Sequence, residues 1–176
     1  ASRQAEAGEA SAAEILAAGG YALAVPTNVS NIDQLEALTT ASVERFGAID
    51  ILVNNAANPL ALPLGSITPE ALSKSFDANL RGPVFLVQSA LPHLKASGHG
   101  SIINIVSAGA FMFSNMVTIY AAAKATMVSY TRSWAGELAG DGIRVNAVAR
   151  GAVATDMLNA TGPEGVAHLA GAALLR

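Results

Sequence analysis

The sequence predicts an α/β fold, a doubly wound parallel sheet with helices on both faces, and three observations lead there. Short apolar runs alternate with longer segments of helical periodicity along the chain, the order that builds a parallel sheet. Those runs, such as "ILVNN" and "SIINIV", are apolar at successive positions rather than at every second one, which suits strands buried on both faces. Finally, 52% of the 176 residues are hydrophobic and 13% are charged, enough apolar surface for a deep core and too little charge for a disordered chain. No internal repeat or low-complexity linker divides the sequence, so residues 1–176 are read as one domain.

The elements follow in order. Residues 1–18 are alanine-rich and helical in pattern, ending at Gly19 and Gly20. "YALAVPTNV" (21–29) reads as a first buried strand. Ser30 is placed to cap the next helix with Asp33 as capping-box partner, and Ile32, Leu35, Leu38 and Phe46 form its apolar stripe up to Gly47. "IDILVNNAA" (49–57) is a second strand. Thr68 followed by Pro69 supplies an N-cap and first helical residue, and the helix runs to about Lys95 with a bend near Gly82 and Pro83. "SIINIV" (101–106), residues 118–139 and "IRVNAVA" (143–149) complete the series as strand, long helix and strand.

The composition excludes several classes of function. A net charge of −3 without a Lys/Arg cluster offers no basic footprint for nucleic acid or an anionic membrane. The chain has no cysteine, so it has neither disulfides nor a thiolate, and this fits a cytoplasmic protein. His93, His99 and His168 lack zinc-site spacing, and no metal is expected. The uncharged stretch from Ala96 to Ala123 has the length of a membrane span, but polar residues such as Asn104, Ser107 and Asn115 interrupt it. It is read as part of a soluble domain.

The chemistry gathers around "IYAAAK" (119–124). Tyr120 and Lys124 sit four residues apart, so on a helix they share a face with Cβ atoms about 5–6 Å apart. Ser107 directly follows a buried strand, at the carboxyl edge where open α/β sheets bind ligands. A phenol ordinarily ionises near pH ~10, and a nearby cation favours its ionised form, so the three side chains suit proton exchange with a substrate oxygen. Taken singly, Tyr120 also suits a core aromatic, Lys124 a snorkelling surface residue and Ser107 a turn cap. Asn79 suits a helix bend, and Asn54 the satisfaction of backbone groups at a strand end. Met127, Trp134 and Leu138 read as packing residues or a subunit interface.

Five segments together resemble the short-chain dehydrogenase/reductase family: "NNAA" (54–57), "FDANLRG" around Asn79, "NIVSAG" around Ser107, "YAAAK", and "RVNAVARGAVATDM" (144–157). They fall in the family's order and spacing. The resemblance implies a Rossmann-like sheet and an NAD- or NADP-dependent oxidoreductase that interconverts a small-molecule alcohol and its carbonyl. It further implies that Tyr120 is the acid/base, that Ser107 stabilises the substrate oxygen, and that Lys124 lowers the phenol and binds the nicotinamide ribose. Asn79 would hold a relay water. Asn28, Val29, Asn54, Ala56, Gly151, Val153 and Thr155, with Tyr120 and Lys124, fall where the family contacts its cofactor. A homodimer or homotetramer through helices 69–95 and 118–139 is implied as well.

The sequence departs from the family pattern in several places. The glycine-rich turn between a first strand and first helix is missing, so the resemblance places the family's first two strands before Ala1 and its last strand after Arg176. A chain so truncated is expected to be poorly stable and to bind no dinucleotide, which leaves open a catalytically silent fragment or association module. Asn28 stands for an aspartate, Ala57 for a glycine, and Arg150 for a proline whose ring would restrain φ. Arg150 also places a cation near the nicotinamide end. The segments after Ala57, Ser107 and Thr155 suggest an apolar substrate pocket.

Overall fold

The structure, a computed structural model, describes residues 1–112 and 117–151. Its centre is a three-stranded parallel sheet in the order β1 (Ile51–Asn54), β2 (Ser101–Ser107), β3 (Arg144–Arg150). Helices connect the strands as the alternating pattern requires, and the architecture is an incomplete Rossmann-type sheet. The registers Leu52↔Ile102 and Ile102↔Val145 place these three side chains on one face. Two helices cover that face: α4 (Gly82–Ser97) contributes Val87, Ala90 and Leu94, and α5 (Thr118–Leu138) contributes Leu138 with the flanking Trp134. Met127 and Leu138 are buried, as their packing role required.

The opposite face is different. Ile51, Val53 and Val148 remain 61%, 48% and 47% exposed. Helical cover on both faces is therefore met on one face only among the described residues.

Local signals account for the helix ends. In α2 (Ile32–Phe46) the cap is Asn31, not Ser30: Asn31 Oδ1 accepts from the Gln34 N–H at 3.1 Å. Gln34 Oε1 accepts from the Asn28 N–H at 2.6 Å while the Asn31 N–H donates to the Asn28 carbonyl, so the expected reciprocal capping box does not form. Gly47 closes the helix at φ 82°, a left-handed position that a side chain would strain. α2 docks on α4, where Ser89 Oγ donates to Thr39 Oγ1 at 3.0 Å, and Leu35 is fully buried. Phe46, counted in the apolar stripe, stays 46% exposed. α3 (Pro69–Phe76) starts as expected, with Thr68 Oγ1 accepting from the Ala71 N–H. A π-helical turn over Asp77–Arg81 then leads into α4, placing the bend just before Gly82.

Segment 21–29 is not a ladder strand. The only pairing it makes among the described residues is a parallel bridge between Ser2 and Pro26, with the Thr27 N–H donating to Ser2 O at 2.9 Å. An extended segment becomes a strand only beside a neighbour that can take its amides, and Pro26 has no N–H to offer. α1 (Ala5–Ala17) precedes this segment, and no residue of it is buried.

Candidate active site

The site lies at the carboxyl edge of β2, where the strand ends at Ser107 and α5 returns across the sheet. Ser107 Oγ accepts from the Gly109 N–H at 3.2 Å, which fixes the hydroxyl in a tight turn. Tyr120 stands in the first turn of α5, where the helix dipole favours negative charge. One turn further, Lys124 Nζ lies 5.6 Å from the centre of the Tyr120 ring and donates to the Ile105 carbonyl at 2.7 Å. Ala123, between them on the inner side, is fully buried, so the helix can sit close enough for the ammonium to reach the strand.

Electrostatics here depart from the expected division of labour. Burial pushes the Tyr120 phenol above its usual value; the Arg150 charge and the Ser107 hydroxyl pull the other way. Burial also holds the Lys124 ammonium down to about 8, with the like charge of Arg150 adding to the effect. Without a cofactor ring beside it, desolvation outweighs the pull of Arg150 and Ser107 on the phenol.

Asn79 is almost fully buried in the π turn, and its side chain is fully engaged. Nδ2 donates to the Asn58 carbonyl at 2.8 Å and the Ser75 carbonyl at 2.9 Å, while Oδ1 accepts from the Asn58 N–H at 3.0 Å. That side chain ties the segment after β1 to the turn. Pro83, four residues on, has no N–H to give the Asn79 carbonyl in α-helical register.

Asn54 is buried and donates from Nδ2 to Asn104 Oδ1 at 2.9 Å; Asn104 Nδ2 donates to Thr131 Oγ1 at 2.9 Å, and Thr131 Oγ1 donates to the Met127 carbonyl at 2.7 Å. This polar chain joins β1, β2 and α5 through the core. Asn104 and Thr131 were not singled out in the sequence; the available signal was an asparagine inside the apolar run "SIINIV". Asn28 and Ala56 are exposed, and Asn28 Oδ1 accepts from the Ser30 N–H at 3.1 Å. Val29 is half-buried, and its carbonyl oxygen lies so close to Gly82 that any Cβ there would collide with it. Gly151 is exposed at the end of β3. Val153 and Thr155 lie outside the described residues.

The residues fit one end of a nicotinamide dinucleotide. An ammonium has three N–H donors, and Lys124 spends one on Ile105, leaving two for ribose hydroxyls. For the pyrophosphate no glycine-rich strand-to-helix turn occurs among the described residues; Gly136, Gly140 and Gly142 lie where a helix runs into a strand, which presents carbonyls instead of amides. No cluster of three or more metal-ligating side chains occurs among the described residues, and no helix among them is long and apolar enough to cross a membrane.

Comparison with known proteins agrees with this geometry. The short chain dehydrogenase family profile matches residues 1–165. Over 138 residues the chain is 41% identical to galactitol 2-dehydrogenase of Agrobacterium fabrum, covering 78% of this chain and 54% of that protein. A 7α-hydroxysteroid dehydrogenase solved with NADH and 7-oxo glycochenodeoxycholic acid superposes with a TM-score of 0.87 at 31% identity, over 91% of this chain and 63% of the other. A gluconate 5-dehydrogenase from Burkholderia cenocepacia, solved with NADP and tartrate, superposes with a TM-score of 0.83 at 31% identity, over 90% and 62%. The chain belongs to the short-chain dehydrogenase family of oxidoreductases, and the two solved relatives named above hold NADH and NADP. It spans little more than half the length of the galactitol enzyme.

Proposed function

We propose that this site interconverts a small-molecule alcohol and its carbonyl with NAD or NADP, and that Tyr120 exchanges the proton. The observation that carries this reading is the convergence of Ser107, Tyr120 and Lys124 at the carboxyl edge of β2. Alcohol oxidation releases a hydride from carbon and a proton from oxygen. The dinucleotide, when bound, accepts the hydride. Tyr120 as tyrosinate takes the proton, and the Ser107 hydroxyl donates a hydrogen bond to the substrate oxygen. Lys124 holds the ribose hydroxyls and, as a cation close to the ring, favours the tyrosinate. A water on the Asn79 carbonyl passes the proton onward. Reduction runs these steps in reverse.

Asn54 and Asn28 support the cofactor side through their strand-end and turn hydrogen bonds, and Val29, Ala56 and Gly151 complete that wall; the family resemblance alone assigns Val153 and Thr155 to the cofactor. Subunits associate through the outer surfaces of the helical regions 69–95 and 118–139. The test is a panel of sugar alcohols, hydroxy acids and secondary alcohols with NAD or NADP, followed by NAD(P)H absorbance. The chain is joined for this purpose to the part of galactitol 2-dehydrogenase that it does not cover. Alcohol-dependent absorbance supports the reading; none across the panel refutes it.

A second reading is favoured by the open apolar face and the missing glycine turn: the 176-residue chain by itself serves association and binds no dinucleotide. Micromolar NADH binding by that chain, together with a cooperative thermal transition, refutes the second reading.

A further inference from the structure

We infer that Arg150 is a positioning residue for the Tyr120 phenol, its guanidinium supplying across the β2–β3 ladder the positive field that the position of Lys124 assigns to the ammonium. The register pairs Ser107 with Arg150, so the two side chains leave neighbouring strands on the same side at the edge where Tyr120 arrives. Neighbouring strands lie about 4.8 Å apart, and an arginine side chain spans that gap easily. Lys124, by contrast, is tethered to the Ile105 carbonyl, which draws its charge toward the strand backbone. Arg150 makes no ion pair among the described residues.

Other charged groups on the packed elements are spent or distant. Asp77 and Arg81 on the π turn pair with each other at 3.6 Å. Glu70 lies in the first turn of α3 under its Thr68 cap, with Lys74 one turn on. Arg132 and Glu137 follow Tyr120 on α5 by 12 and 17 residues, about 18 Å or more along the helix. Arg144 stands at the opposite end of β3. Arg150 also acts on both members of the pair in the sense this placement requires, favouring tyrosinate and disfavouring the Lys124 ammonium. The inference rests on the proposed role of Tyr120 only for its catalytic meaning; the protonation itself can be read without cofactor or substrate.

The experiment titrates the protein carrying Tyr21→Phe and Tyr130→Phe, which leaves Tyr120 as its only tyrosine. Tyrosinate absorbance reports the phenol, and NMR of isotope-labelled lysine reports Lys124. Arg150→Gln is expected to raise both midpoints, and Arg150→Lys to leave both near the parent. Molar salt on the parent should shift both midpoints in the direction of the Gln variant, because the guanidinium is solvent-exposed. A Tyr120 midpoint that coincides in parent and folded Gln variant overturns the inference, whatever happens at Lys124. Should the Gln variant fail to fold, a parent midpoint unmoved by salt overturns it equally.

Discussion

The two faces of the sheet are drawn from the same strands and from similar residues, yet they end differently. Leu52, Ile102 and Val145 meet α4 and α5 and form the core. Ile51, Val53 and Val148, their neighbours in sequence, stay about half exposed. Hydrophobicity states what a residue gains from burial, whereas its neighbours in space decide whether burial occurs. The covered face also carries the Asn54–Asn104–Thr131 chain, a set of polar groups affordable inside a core because each finds a partner. That chain anchors the helix that presents Tyr120 and Lys124. That helix thus packs on the covered face, while Ser107 leaves β2 on the side of Val53 and Val148.

Truncation on the covered face has the largest expected effect. Ile102 is fully buried, and Ile102→Ala should lower urea-unfolding stability by about 2–5 kcal/mol. Next is Lys124, whose value of about 8 lies below the 10.5 of the exposed amine. Between these two pH values the unfolded chain binds more protons, so stability rises with pH there, by up to roughly 3 kcal/mol in all. Urea midpoints at pH 7.5 and 9.5 should show that rise in the parent and not in Lys124→Met. Asn104→Ala leaves Asn54 and Thr131 without their partner and should cost about 1–3 kcal/mol, read by the same unfolding curves. Val53→Thr on the open face is the sharpening control, with a change within about 0.5 kcal/mol. A loss at Val53 as large as that at Ile102 would abolish the distinction between the faces.

Much of this was legible before the structure because it depends on local chemistry. Thr68 and Pro69 start a helix wherever the chain then coils, and the apolar runs 101–106 and 143–149 become adjacent parallel strands. Ser107, Tyr120 and Lys124 converge because a strand end and one helical turn suffice to bring them together. What depends on distant partners was not legible. Segment 21–29 has the composition of a strand but no ladder to join. Asn79 was read as the holder of a relay water, and its ties to Asn58 and Ser75 appear only once the π turn forms. The force on the phenol was assigned to the helix neighbour Lys124, and the ladder register that brings Arg150 opposite Ser107 appears only once the strands pair.

The account stands on the phenol of Tyr120 as the group that exchanges the substrate's proton. The most direct measurement is kcat/KM for NAD(P)-linked alcohol oxidation by the fusion with galactitol 2-dehydrogenase and its Tyr120→Phe variant, which removes one oxygen and keeps the ring. Loss of general acid/base catalysis predicts a fall of about 100-fold to 10,000-fold with cofactor affinity retained. Turnover within tenfold of the parent would contradict the account.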